Sequence, residues 1–426
     1  MSMTSNLANS KQALWEVWER PTTRLLSIVV VTGLAGGLVG AAYLGLLKLV
    51  QHGLWPTHWS LAAHLVVLVV VGAVVAGLTR WLGSPSDVEL LVDDIHVLGG
   101  AEDLRSLRSL VPVSLLCVGA GGALGPEAPL VTATGSLGSW IGTRARLERD
   151  DLRVVSIAGM AAGFTVLFGA PLGSALFALE ILHRRGLEYY EALLPAVIGS
   201  LCGYVVYAAA TGVGLEPVFR FPTTTEVHLA DLGYGVGAGV VGALVAAAFT
   251  YLCVGLKRVV GRVPVDARPV LGGLALGGLA FATPYALTNG EVQVEHLTGV
   301  RVAAATLLLA AGMKLVASAV TLVTGWKGGF IIPLFFIGFC LAQAAAPHLP
   351  GADRWVLAAG LMVACNVGVT KTPIGSTLVV TEMAGLALLP SVLVAAVVSL
   401  ALTSSVGLID SQRQRLTGDE EPGSTS

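Results

Sequence analysis

The chain has 426 residues, of which 54% are hydrophobic and only 12% charged, and its mean hydropathy is +0.79; a soluble domain carries about twice that share of charge and is excluded. The formal net charge of -2 excludes a strongly basic surface built for nucleic acid. Cys117, Cys202, Cys253, Cys340 and Cys365 stand singly without metal or redox spacing, and the eight histidines form no metal-ligand cluster, so no metal and no cofactor are expected.

Residues 1–24 are polar and carry Lys11, Arg20 and Arg24. The apolar sequence starts at Leu25, too late and too long for a cleavable leader. Its basic flank predicts a cytoplasmic N-terminus. A polar stretch, Leu82-Gly-Ser-Pro-Ser-Asp87, interrupts the apolar sequence, with Glu89, Asp93 and Asp94 beyond it. These acids read as a solvated face. Apolar runs then recur near 107–123, 126–143, 154–169 and 171–182. A perpendicular span takes about 20 apolar residues, so the shorter runs predict tilted and discontinuous helices.

Residues 119–129, Gly-Ala-Gly-Gly-Ala-Leu-Gly-Pro-Glu-Ala-Pro, set one carboxylate, Glu127, in this apolar setting. An ionisable group at membrane depth is costly and is a functional candidate. Gly125-Pro126 reads as a backbone break followed by a helix start. A helix N-terminus offers free N–H groups and the positive end of the dipole to an anion. Glu127 there is a built-in competitor for an anion.

The second half of the chain repeats the first at an offset of about 200 residues. Gly33-x-x-Gly36-Gly-Leu-Val-Gly-Ala-Ala-Tyr43 matches Gly239-x-x-Gly242-Ala-Leu-Val-Ala-Ala-Ala-Phe249. The stretch from Gly121 to Pro129 matches that from Gly325 to Pro333, and Pro171-Leu-Gly-Ser-Ala-Leu-Phe-Ala-Leu-Glu180 matches Pro373-Ile-Gly-Ser-Thr-Leu-Val-Val-Thr-Glu382. The predicted organisation is a cytoplasmic segment 1–24, a first membrane repeat 25–213, a linker 214–229, a second repeat 230–409 and a cytoplasmic tail 410–426. Duplicated halves with corresponding breaks, here 125–129 and 329–333, predict a transporter or channel with its site near the midplane.

These residues resemble the CLC family of chloride channels and proton/chloride antiporters over nearly the whole chain. The 125–129 segment is similar to the family's G-[KR]-E-G-P motif, and Gly328-Gly-Phe-Ile-Ile-Pro333 to its G-x-F-x-P motif. The resemblance implies an all-α polytopic membrane protein with two inverted-topology repeats of tilted and broken helices, about eighteen in number, paired as a homodimer with one anion pathway per subunit. It makes Glu127 the gating and proton-accepting glutamate, whose ionised side chain occupies an anion site and swings out when protonated. It implies anion binding by the backbone amides of Gly125, Glu127, Ala128, Phe330 and Ile331. A further family loop holds the central anion with a serine hydroxyl, and either Ser84 or Ser86 corresponds to that serine.

Several positions depart from the family pattern. Pro126 and Ala128 replace its basic residue and its glycine, and Ile331 replaces its phenylalanine, with Phe330 one place earlier. Lys327 is a substitute source of positive potential in the pore. No tyrosine lies around Thr403-Ser-Ser-Val-Gly407 to match the family's pore tyrosine, although Ser404 and Ser405 are near. Ile181 stands where the antiporters carry an internal glutamate. Glu180 and Glu382, related by the repeat, read as helix caps or as ion-pair partners of Lys371 or Arg184.

The functional expectation is transport of chloride or another small anion through a pore gated by Glu127, passive or weakly proton-coupled. Proton/chloride antiport by a non-standard proton path and fluoride export are the alternatives. An intramembrane enzyme would need a metal cluster, a nucleophile with its base, or paired carboxylates, and none is legible. The expected setting is a bacterial inner membrane, in contact with lipid, with both termini cytoplasmic. Basic clusters at Arg144, Arg146, Arg149 and Arg153 and at Lys257, Arg258, Arg262 and Arg268 agree with that orientation.

Overall fold

A computed structural model describes residues 23–54, 60–85, 88–100, 105–183, 189–212, 228–409 and Gln412. Among them the chain forms sixteen α-helices and no strand. The first half contributes α1 (Thr23–Leu54), α2 (Leu61–Leu82), α3 (Val88–Leu98), α4 (Arg105–Gly119), α5 (Glu127–Arg144), α6 (Arg149–Phe168), α7 (Pro171–Glu180) and α8 (Leu193–Thr211). The second contributes α9 (Leu229–Val260), α10 (Arg268–Ala280), α11 (Glu291–Thr298), α12 (Ala304–Val323), α13 (Ile331–Ala345), α14 (Arg354–Thr370), α15 (Pro373–Ala384) and α16 (Leu389–Leu402).

The two sets correspond helix by helix. The opening helices α1 and α9 are both 32 residues long, and the short α7 and α15 have 10 and 12. Among the described residues, seven helical stretches are long and apolar enough to cross a membrane. At the centre of each half lies one helix with almost no outer surface. Every residue of α6 from Val154 to Phe168 is buried, as is every residue of α14 from Trp355 to Thr370. The other helices wrap these two and turn Val66, Val70, Leu244 and similar residues outward.

Lipid does not drive apolar helices together, so close contact requires small residues. On α1 a Cβ at Gly33 would strike the Gly199 carbonyl of α8 at 2.5 Å. On α9 a Cβ at Gly235 would strike the Ser391 carbonyl of α16 at 2.6 Å. The α1–α8 packing of one half thus recurs as α9–α16 in the other.

Glu180 and Glu382 make the relation between the halves reciprocal. Glu180, at the end of α7, accepts hydrogen bonds from the Ile374 and Gly375 amides opening α15, at 3.1 and 2.6 Å. Glu382, in the last turn of α15, accepts from the Gly173 amide opening α7 at 2.9 Å. Each carboxylate satisfies orphan amides of the other half and faces the positive end of its dipole. The capping role is therefore the one seen. Pairing with Lys371 is not, because its Nζ donates to the carbonyls of Gly368 and Thr403 and to Thr403 Oγ1. Arg184 lies outside the described residues.

Candidate functional site

The two helix breaks meet face to face. Gly121 and Gly325 both take left-handed backbone conformations, with φ of 91° and 87°. Only glycine adopts these without a steric penalty. Each turn leads four residues later to a glycine that pairs with its counterpart. The Gly125 amide donates to the Gly329 carbonyl at 2.7 Å, and the Gly329 amide to the Gly125 carbonyl at 2.6 Å. The second half holds the first-half loop further. Ser318 Oγ donates to the Ala123 carbonyl at 2.8 Å, and the Thr288 amide donates to that of Gly121 at 2.8 Å. Buried Trp326, just before the second break, donates its ring N–H to the Pro269 carbonyl of α10 at 2.8 Å.

Helices α5 and α13 begin directly after this bridge, capped by Pro126 and Phe330. Both have proline as the third helical residue, Pro129 and Pro333. Proline suits a first turn because no intrahelical partner awaits its missing N–H. Among the described residues the amides of Glu127, Ala128, Phe330 and Ile331 donate to no backbone carbonyl, as expected of two helix N-termini, and the Glu127 amide faces its own carboxylate. Gly125 differs from the sequence expectation: its amide is spent in the bridge, so it holds the two breaks together rather than an anion.

Glu127 is fully buried. Its Oε1 accepts from the Ile332 amide, in the first turn of α13, at 2.6 Å. A carboxylate of the first half thus lies on the helix N-terminus of the second. Its Oε2 is buried with no hydrogen-bond partner. A Cβ on Gly329 would approach Oε2 to 2.6 Å and the Ala128 amide to 3.0 Å. Glycine there is what lets the carboxylate reach its seat.

A cavity of about 340 Å³ adjoins this seat. Ala128, Gly329, Phe330 and Ile331 line it, together with Ile181, Thr370 and Gly407–Ile409. Lys327 and Lys257 both border it. Two ammonium groups give the space a positive potential, which raises the local anion concentration. Sequence reasoning singled out Lys327 but used Lys257 only as a topology marker. Lys257 closes α9, and only the fold brings it beside the second break.

Ser84 is not brought to this cavity. Ser84 follows the end of α2 and is exposed, and it is absent from the cavity lining. Ser86 lies outside the described residues, as does Asp87. Ser404 and Ser405 are also exposed, and Gly407, Leu408 and Ile409 line the cavity instead. Ile181 is on the wall, so an apolar side chain faces the cavity there.

One buried cation was missed. Lys314 of α12 is fully buried. Its Nζ donates to the carbonyls of Leu287 and Thr288 at 2.5 and 2.8 Å and to Gln293 Oε1 at 3.2 Å. It also stands 4.9 Å over the Phe336 ring of α13. Lys314 thereby fastens the segment whose Thr288 amide holds Gly121. A lone lysine in an apolar run is the same signal that picked out Glu127, and it could have been read.

Comparison with known proteins places this geometry. The family model described as "Voltage gated chloride channel" matches residues 86–404. The chain is 30% identical over 407 residues to a chloride/fluoride channel protein of Pseudomonas syringae pv. tomato, covering 90% of this chain and 86% of that one. Among solved structures, a slow cyanobacterial Cl-/H+ antiporter superposes with a TM-score of 0.80 at 19% identity, over 90% of this chain and 95% of that one. A CLC-type fluoride/proton antiporter superposes with a TM-score of 0.80 at 23% identity, over 92% and 98%. At these identities the structural likeness is one of fold.

Proposed function

The chain belongs to the voltage-gated chloride channel (CLC) family, and on that premise we propose that it conducts chloride passively, or with weak proton coupling, through a pore that Glu127 closes. One observation carries the reading: the Glu127 carboxylate sits on the Ile332 amide at the N-terminus of α13. An ionised carboxylate there occupies the place of an anion. Protonation removes its charge, weakens its hold on the amide and leaves free donors on both helices for chloride.

The apolar wall at Ile181 supports passive conduction. An isoleucine side chain cannot accept a proton. Lys257 and Lys327, which border the cavity, attract the anion into it. The chain is proposed to act as a homodimer with one such path per subunit, in a bacterial inner membrane with both termini cytoplasmic.

Paired chloride and proton flux from proteoliposomes tests this. The expected result is chloride efflux with little proton movement, reduced in pH dependence by Glu127→Gln. Protons driven uphill by a chloride gradient would overturn the passive reading in favour of antiport. Fluoride transport is the second reading, favoured by the 30% identity to a chloride/fluoride channel protein. Fluoride efflux faster than chloride efflux in the same vesicles would establish it.

A further inference from the structure

A second cavity, of about 610 Å³, shares no lining residue with the one at the Glu127 seat. It lies where the end of α11, the start of α12, the end of α13 and the start of α14 converge. Gln343, on its α13 side, is twelve residues beyond Ile331, or about 18 Å along the helix axis. With the two halves inverted, α13 runs away from the seat in the opposite sense to α5. The cavity is therefore at the other end of the molecule from Arg144.

Its lining has two chemically distinct sides. One is cationic. Arg301, in the linker between α11 and α12, and Arg354, the first residue of α14, both border it. Among the described residues neither guanidinium has a carboxylate partner. Arg354 lies 4.3 Å over the Trp355 ring, which orients it. One acid is present, Asp353, the cap of α14. Its Oδ1 accepts from the Trp355 and Val356 amides at 2.7 and 3.3 Å. Two arginines against this one carboxylate leave the rim positive. Gln343 completes the polar side, and its amide nitrogen is buried with no hydrogen-bond partner, so a donor is left over.

The other side is apolar. Leu297, Val302 and Leu307 line it. Val300 also lines it and is 44% exposed. Leu308 and Leu309, next on α12, are exposed as well, and α12 is one of the helices apolar enough to span the bilayer. The apolar side thus runs out onto surface that meets acyl chains.

We propose that this cavity binds the headgroup of an anionic phospholipid, with its phosphodiester held by Arg301 and Arg354 and its acyl chains leaving over Val300. Guanidinium forks match the oxygens of a phosphate. A basic pocket between membrane helices is the usual form of such a site. Cavities of about 300–1,000 Å³ hold whole organic ligands, so this one is larger than a bare phosphate fills. A free phosphate would also leave the apolar side without a partner. A zwitterionic headgroup would bring its own cation toward two arginines. Occupancy joins the starts of α12 and α14 through the ligand and stabilises the folded chain.

The test titrates the full chain, delipidated in a neutral detergent, with short-chain phosphatidylglycerol while its melting temperature is followed. A ligand that binds only the folded state raises that temperature with concentration. The expected result is a rise with phosphatidylglycerol, and little with phosphatidylcholine of the same chain length or with glycerol 3-phosphate. The double variant Arg301→Gln, Arg354→Gln should lose the rise, and Arg258→Gln, outside the cavity, should keep it. An equal rise with phosphatidylcholine, or an undiminished one in the double variant, would overturn the proposal. An equal rise with glycerol 3-phosphate would overturn the lipid assignment in favour of a soluble phosphate. Should the double variant fail to give monodisperse protein, Arg301→Gln alone, at an exposed position outside the helices, is expected to need several-fold more phosphatidylglycerol for the same rise. An unchanged requirement would overturn the proposal equally.

Discussion

Replacing Glu127 by alanine vacates the place the carboxylate holds. A hydrogen bond to a charged group contributes about 1.5–3 kcal/mol, and a helix N-terminus adds up to about 2 kcal/mol for an anion in a partly buried geometry. Burial of the unpartnered Oε2 offsets part of this. A net hold of about 3 kcal/mol amounts to about a hundredfold in competition with chloride. Isothermal titration with chloride at about pH 7.5, where a competing ionised carboxylate matters most, should therefore show Glu127→Ala binding up to about a hundredfold more tightly than wild type. Glu127→Gln should fall between the two, because its amide oxygen still accepts from Ile332 without the charge. In wild type, affinity should rise as pH falls, since the proton removes the competitor's charge. An alanine variant whose affinity stays within about twofold of wild type would refute the idea that the carboxylate occupies an anion site.

Gly329→Ala should displace the carboxylate and disturb the Gly125–Gly329 bridge, since the new methyl meets Glu127 Oε2 and the Ala128 amide. Overpacking of this kind costs about 1–3 kcal/mol, read as a lower melting temperature together with altered chloride affinity. Glu180→Gln should cost about 1–2 kcal/mol of stability through the weakened α15 cap and leave anion selectivity unchanged; a selectivity shift in reversal-potential measurements would contradict a purely capping role. Lys314→Met should leave the Thr288 carbonyl without this donor and the Leu287 carbonyl with only that of Gln293, at about 1–3 kcal/mol for the first. Thermal unfolding in detergent should show it as the least stable of these variants.

The membrane-spanning character, the duplication and the unusual setting of Glu127 were legible because each has a local signature. Hydropathy needs only composition, the repeat needs only self-comparison, and a carboxylate after Gly-Pro in an apolar run stands out by its cost. Glu180 and Glu382 were legible as a pair, but their reciprocity was not. That each caps the other's helix depends on α7 and α15 lying against one another across the halves. Ser84 shows the opposite case, in which a motif match at the right order in the chain belongs to an exposed residue.

The sequence by itself determined which residues are unusual: an acid at a helix mouth, two glycine turns of the same design, and apolar runs too short to cross a bilayer straight. Only the tertiary structure decided what they face. Helix N-termini emit their field along an axis, and an axis is set by packing rather than by the residues that start the helix. The bridge between Gly125 and Gly329 brings two such starts together, and the Glu127 carboxylate crosses from one half to the amide of the other. Lys257 and Ile181 lie far apart in the chain and acquire a common cavity only when α7 and α9 are in place.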